Sequence, residues 1–350
     1  MSKTFLITFT PEEPYFFGNE KSFTYPGQKN GGQFGNRYYI KSERMPSQST
    51  LFGALRYLLI PDKKYNYDYN KSELEATIGA SSFNIASPEK QAFGVIEKMS
   101  PVFLIDKNGN ALFPTPKNHR IKTEKNDNKQ YTPFSEYETV STADGARLFA
   151  RDYVSKDGIT DSFMCIADGT IFPSYTLFGS TLRIGINRQE KDMFKKMFCV
   201  LKKGYAFAVY ATLADAAKVP ASESVYLGQN KSLFHVRICE LTDDTQKSVK
   251  ALLKKGTPDG KYVAYCAADL FADKSIYDFC DFAVATTKTY RSYLTNAGRV
   301  TKQSTLYNII SAGSVFIIDR DKLSNFKSAV ANANAEQIGY NNLIITDEGE

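Results

Sequence analysis

One stretch of the chain, Lys41-Ser42-Glu43-Arg44-Met45-Pro46-Ser47-Gln48-Ser49-Thr50-Leu51-Phe52-Gly53-Ala54-Leu55-Arg56, gathers the groups that hold an anion. Ser47 and Ser49 each suit the N-cap of a helix, and Pro46 lies just before it. A helix start offers free N–H groups and a partial positive charge, which favours a phosphate. Ser47, Ser49 and Thr50 add hydroxyl donors, and Gln48 has the reach to meet a sugar or a base edge. Lys41 and Arg44 stand just upstream, Arg56 follows on the helix, and Gly53-Ala54 lets another backbone pack closely. The same residues suit an ordinary capped core helix, so spacing alone leaves both readings open.

A second candidate is Leu182-Arg183-Ile184-Gly185-Ile186-Asn187-Arg188, where basic and apolar residues alternate around a glycine as in a strand facing a ligand. Arg183 and Arg188, if they share a sheet face, would grip a nucleic-acid backbone. A solvated strand edge accounts for them equally well.

Catalytic constellations are poor. The two histidines, His119 in a basic stretch and His235 in an apolar one, belong to no spaced pair, so a His/Cys zinc site has no support. There is no G-x-x-x-x-G-K-[ST] and no G-x-S-x-G. His119 as the general base of a metal-free RNA cleavage is the remaining enzymatic route, against surface filler as the plain alternative. No catalytic residue, metal or cofactor is expected.

The elements that must position these groups follow from composition and periodicity. A chain of 350 residues holds two ordinary domains or one large one. With 42% apolar and 23% charged residues it builds a sizeable core, which excludes general disorder. The net charge of +6 points only weakly to an acidic partner. Phe (25) and Tyr (22) dominate the aromatics, and such rings favour strands and also stack on bases. Cys165, Cys199, Cys239, Cys266 and Cys280 form no C-x-x-C pair and sit in apolar settings, so buried free thiols in a reducing cytoplasm are expected. The apolar run at the N-terminus is too short for a signal peptide, and no stretch approaches the roughly 18 apolar residues of a membrane span. A soluble, cytoplasmic protein with no membrane contact is the expectation.

Thr4–Phe9 reads as a strand, followed by a glycine-rich loop from Pro11 to Tyr38. Apolar residues at 51, 52, 54, 55, 58 and 59 predict a buried helix over Ser49–Ile60, ended by Pro61. Lys117–Phe134 reads as a flexible basic insertion or the tip of a long hairpin. Strands are expected at 182–188 and 204–210. Further on come a strand at Phe234–Leu241, a helix from Asp243 to Lys255, a strand at Ser314–Ile318, a helix at Asp321–Ala331 and a closing strand at Leu343–Thr346. This order fits two α+β units of ferredoxin-like kind, 1–225 and 226–350.

Here the residues meet a known pattern. Pro46-Ser47-Gln48-Ser49-Thr50-Leu51-Phe52-Gly53-Ala54-Leu55-Arg56 resembles the P-S-x-S-T-L-x-G-A-L-R block of the third-subunit family of the Cmr complex. That complex is the type III-B CRISPR RNA-guided effector, and the subunit belongs to the RAMP superfamily. Arg183-Ile184-Gly185-Ile186-Asn187-Arg188 resembles the family's R-x-G-I-x-R strand, Val225-Tyr226-Leu227-Gly228 its V-x-L-G element, and Ala312-Gly313-Ser314-Val315-Phe316 its A-G-S-V-[YF]. The blocks run in the expected order over nearly the whole chain. One departure is the glycine-rich loop that RAMP proteins often carry near the C-terminus. Only Ile338-Gly339-Tyr340-Asn341-Asn342 occupies that place, so close RNA contact is not expected there.

The resemblance implies two ferredoxin-like (RRM-like) RAMP domains with inserted loops and a β-hairpin thumb, with Lys117–Lys129 as a candidate for the thumb. It implies a non-catalytic subunit that caps the 5′ end of the CRISPR RNA and binds its repeat-derived handle. Its partners would be the large polymerase/cyclase subunit and the backbone RAMP subunits, with target RNA met only indirectly. The RNA-binding residues would be Lys41, Arg44, Ser47, Gln48, Ser49, Thr50, Arg56, Arg183 and Arg188. The alternatives are a metal-free CRISPR RNA-processing endonuclease of the same superfamily, with His119 or a tyrosine as base, and the type III-A counterpart of this subunit.

Overall fold

The structure is a computed structural model, and it describes residues 2–18, 22–25, 37–60, 67–120, 129–143, 145–153, 161–187, 192–214, 217–229, 231–240, 250, 253–254, 257–296 and 299–346. The chain opens with β1 (Lys3–Pro11), β2 (Ser22–Tyr25), β3 (Arg37–Lys41), α1 (Gln48–Leu59) and α2 (Tyr67–Ile78). Strands then dominate: β4 (Ile96–Met99), β5 (Phe103–Asp106), β6 (Ala111–Pro114), β7 (Tyr137–Thr142), β8 (Gly145–Ala150), β9 (Ser162–Cys165) and β10 (Ile171–Pro173). After the short α3 (Ser174–Leu177) come β11 (Phe178–Asn187), β12 (Asp192–Leu201), β13 (Tyr205–Leu213), β14 (Ser222–Leu227) and β15 (Ser232–Glu240). The last part holds β16 (Lys261–Cys266), β17 (Phe282–Val284), β18 (Thr287–Tyr290), β19 (Tyr293–Asn296), β20 (Arg299–Gln303), β21 (Tyr307–Ile310), β22 (Val315–Asp319), a helix at Leu323–Val330, a shorter one at Ala333–Gln337, and β23 (Leu343–Ile345). The protein is thus mixed α+β, rich in strands and poor in helices.

The main sheet runs β10-β9-β6-β5-β13-β1-β15-β14, with β4 also on β13. β1 sits inside it because Ile7 and Phe9 alternate toward a fully buried face. α1 packs its apolar stripe, Leu51, Phe52, Ala54, Leu55, Leu58 and Leu59, into the same core. A second sheet runs β11-β12-β3-β2 and a third β17-β22-β16-β23. Phe103, Phe113 and Ala208 from the first sheet share one apolar cluster with Val263, Tyr265, Val315 and Ile317 from the third. The two units are therefore fused through a common core, with Lys117 N–H bonded to Gly313 O at 2.9 Å and the Tyr265 hydroxyl to Pro114 O at 2.7 Å.

Several expectations change. A boundary between residues 225 and 226 would fall inside β14 and cut the β14–β15 hairpin. β15 pairs along the free edge of β1, from Phe5 opposite Glu240 to Pro11 opposite Phe234, so the first sheet keeps the chain to Glu240. The basic stretch 117–134 is not a loose loop at its base. His119 bridges Pro133, and Phe134 N–H reaches Asn118 O at 2.7 Å; residues 121–128 lie outside the described residues. Most of the helix expected at 243–255 and the glycine-rich segment 26–36 also lie outside them. Cys165, Cys199 and Cys266 are buried, but Cys239 is exposed because it alternates with Ile238, which takes the core face of β15, and Cys280 is half-exposed. No helix among the described residues is long and apolar enough to cross a membrane.

Candidate nucleic-acid interface

α1 starts where its sequence requires. Ser47 is the N-cap, with extended backbone at φ −68° and ψ 154°. Its Oγ accepts from Thr50 N–H at 3.2 Å and lies 2.8 Å from Thr50 Oγ1 and 3.0 Å from Ser49 Oγ. Ser49 N–H points to the buried Tyr340 hydroxyl at 3.4 Å, and the hydroxyls of Tyr340 and Tyr290 both turn toward Ser49 Oγ at 3.4 Å. The Ser49 and Thr50 N–H groups, which a phosphate would use, are thus taken up by Tyr340 of the C-terminal part and by Ser47. Ser47, Ser49 and Thr50 keep half-buried hydroxyls at the surface.

Gln48 does not reach outward. It is 4% exposed, donates through Nε2 to Ser100 O at 2.6 Å, and accepts from Val102 N–H at 3.0 Å. This amide is a pin between α1 and the chain leading into β5. Gln48→Ala should leave two half-buried backbone groups without this partner and cost about 2 kcal/mol of stability, read from denaturant midpoints. An unchanged midpoint would show that the pin carries no energy.

Arg56 is also redirected. It lies on the last turn, roughly 12 Å along the axis from Gln48. Its Nη2 donates to Gly79 O at 3.0 Å and its guanidinium sits 5.5 Å from the Phe52 ring centre, so it ties α1 to the end of α2.

Lys41, Arg44 and Arg183 stay at the surface. Lys41 closes β3, which runs parallel to β12 with Lys41 beside Met197 and Tyr39 beside Lys195. Residues paired this way share a face, so Lys41 and Lys195, both exposed, project from the same side of the second sheet. Leu182 and Ile184, 46% and 58% exposed, pair with Met197 and Lys195 and extend that side. Arg183 pairs with Lys196 and lies on the opposite side, its guanidinium 4.3 Å from the centre of the buried Phe198 ring. Arg188 lies outside the described residues. Arg44 is half-buried and forms an ion pair with Asp161, while its carbonyl accepts the Tyr15 hydroxyl at 2.7 Å.

Two features escaped the residue pattern. Lys195 is visible only as part of a Lys195-Lys196 pair, and nothing in the sequence says that its strand lies beside Lys41. The other is a two-part hairpin from Thr287 to Ile310: β18 pairs β21, β19 pairs β20, and Ser304 N–H joins the parts by bonding Ser292 O at 2.8 Å. Tyr290 at its base is the residue that touches Ser49.

His119, the histidine among the candidate bases, is 7% exposed. Burial pushes its imidazole pKa down, and Nδ1 lies 2.5 Å from Pro116 O. Among the described residues no group of three or more His, Cys, Asp or Glu side chains is placed to hold a metal.

The family model of the CRISPR-associated protein Cas_Cmr3 matches residues 7–276. No curated protein matches the chain significantly. Among solved structures the chain is similar to one in the cryo-EM structure of the type III-B Cmr-beta bound to cognate target RNA, at a TM-score of 0.50 and 16% identity over 97% of this chain and 96% of that one. It is similar also to a chain of Cmr-beta bound to cognate target RNA and AMPPnP, at 0.49 and 15% over 97% and 96%. A chain of the Csm3-Csm4 subcomplex of the type III-A CRISPR-Cas interference complex matches at 0.36 and 10% over 90% and 93%. At 16% identity the first of these likenesses speaks for the fold alone.

Proposed function

Because the chain belongs to the CRISPR-associated Cas_Cmr3 family, we propose that it is a non-catalytic, RNA-binding subunit of a type III-B CRISPR effector that caps the 5′ end of the CRISPR RNA and holds the repeat-derived handle. The observation that carries the RNA-binding part is the shared face of Lys41 and Lys195, which leads along the chain into Arg44 and the hydroxyls of Ser47, Ser49 and Thr50. Exposed cations on a sheet beside hydroxyl donors suit a ribose-phosphate backbone. Its partners in this reading are the CRISPR RNA, the large polymerase/cyclase subunit and the backbone RAMP subunits, and it works in the cytoplasm. Burial of His119 weighs against the endonuclease alternative.

Two ferredoxin-like units are the fold reading that the strand orders support. The third sheet runs second-third-first-fourth, as β17-β22-β16-β23, with a 3₁₀ turn at Lys274–Phe279 and the helix Leu323–Val330 in the two crossover positions. β5-β13-β1-β15 repeats that order in the first unit, with the strand β14 where the second helix would stand. The thumb is better assigned to the hairpin 287–310, whose base adjoins Ser49, than to the basic stretch 117–129.

Lys41→Ala with Lys195→Ala tests the assignment. Removing two phosphate contacts should reduce the slope of log affinity for labelled repeat RNA against log salt by about 1.4. A slope equal to wild type would remove this face from the RNA path. Repeat RNA incubated with the protein should remain intact, and clean cleavage abolished by His119→Ala would overturn the non-catalytic role.

A further inference from the structure

Tyr175 is a large aromatic side chain held strongly exposed, at 72%. It is not on a loose segment. Its neighbours Ser174 and Leu177 are buried at 2% and 0%. Ser174 N–H bonds Asp161 O at 3.0 Å, Thr176 Oγ1 donates to Pro173 O at 2.7 Å, and Leu177 O accepts Lys202 N–H at 2.9 Å. The turn therefore holds the ring in solvent, and a planar partner could stack on it with little further ordering of the chain.

The same turn is tied to Arg44. Ser174 Oγ donates to Asp161 Oδ1 at 2.8 Å, while Asp161 Oδ2 pairs with the Arg44 guanidinium. The Asp161 side chain is 67% exposed and that of Arg44 33%. An ion pair so open to water contributes little, so another anion can replace the carboxylate cheaply. A phosphate offers the same planar fork two charge-assisted acceptors. One short stretch of surface thus holds a cation paired with an exchangeable carboxylate and a rigid exposed ring.

We propose that Arg44, Asp161 and Tyr175 form a site for one unpaired nucleotide of single-stranded RNA, in which a phosphate displaces the Asp161 carboxylate from Arg44 and the adjoining base stacks on the Tyr175 ring. The site rests on the RNA-binding reading above and adds to it a base contact and a built-in competitor. Asp161 occupies Arg44 while RNA is absent, so it lowers affinity for polyanions that offer no base to stack.

Fluorescence anisotropy with the full-length protein tests this, using labelled repeat RNA and an abasic ribose-phosphate strand of the same length. Tyr175→Ala should weaken the repeat RNA about tenfold at all salt concentrations and leave the abasic strand unchanged, while Tyr175→Phe retains binding. Asp161→Asn should tighten both strands several-fold at low salt, with the gain shrinking as salt rises. Unchanged affinity in both Tyr175→Ala and Asp161→Asn, with wild type binding the RNA, overturns the site and leaves the RNA-binding role standing. Failure of wild type to bind either strand overturns both.

Discussion

Gly339→Ala should lose about 4 kcal/mol of folding stability, far more than one methyl group ordinarily costs. Gly339 has φ +93°, and a Cβ there would lie 2.3 Å from Ser100 O and 2.4 Å from Gln48 Nε2. Neither neighbour can yield easily. Ser100 lies between β4 and β5, which both pair with β13, and its N–H bonds Tyr210 O at 2.8 Å, while Gln48 is fixed by hydrogen bonds from both ends of its amide. Gly109 is the matched control: its φ is +86°, but nothing lies within 4 Å of its Cβ position. Gly109→Ala should cost only about 1 kcal/mol, the conformational part. Chemical denaturation of both variants decides the matter. Equal losses would show that the C-terminal segment shifts away from Ser100 and that close packing there is not required.

The second large effect concerns Lys117, which the composition of its neighbourhood marks as a solvated cation. In the folded protein its ammonium is held between the units, donating to Thr286 Oγ1 at 2.6 Å, Ala312 O at 3.1 Å and Ser314 Oγ at 3.3 Å. Burial pushes its pKa down to about 8, with the Lys288 charge acting the same way and Cys266 and Asp269 against it. A folded-state value below the unfolded one means that the unfolded chain binds more protons between the two, so stability rises with pH in that window. Below about pH 8 both states are protonated and the full penalty of the buried charge is present. Measured against Lys117→Met, wild type should gain about 2 kcal/mol between pH 8 and pH 10, over a background that falls with pH in both proteins because burial holds the Cys266 and Cys280 thiols up to about 12. From about pH 10 the buried tyrosines Tyr15, Tyr265 and Tyr340, whose pKa values burial raises, steepen that fall: the unfolded chain then loses protons that the folded one keeps. Parallel pH profiles for wild type and Lys117→Met would sink this account.

The local elements were legible because local chemistry decides them. α1 lies over Gln48–Leu59 against an expected 49–60, and β1, β13, β15, β22 and β23 lie where alternation put them. A boundary at 225 divides the first sheet, because the strand that completes β1's second edge comes after it, and pairing between distant strands leaves no mark on either alone. The candidate site divides the same way. Ser47 caps the helix as its type requires, whereas Gln48 and Arg56 have the chemistry to meet RNA and spend it on Ser100, Val102 and Gly79.

By itself, the sequence determined the α1 start with its serine cap, the apolar stripe behind it, the mixed α+β character and the ordered blocks that mark the family. These depend on residue type and short spacing, through backbone hydrogen bonding and side-chain periodicity. Only the tertiary structure decided which polar groups remain available. It placed Tyr340 on the helix start, drew Gln48 and Lys117 inside, set Lys195 beside Lys41, and joined Arg44 to the turn that holds out Tyr175. A polar side chain serves whichever partner the fold brings within about 3 Å, and that partner comes from elsewhere in the chain.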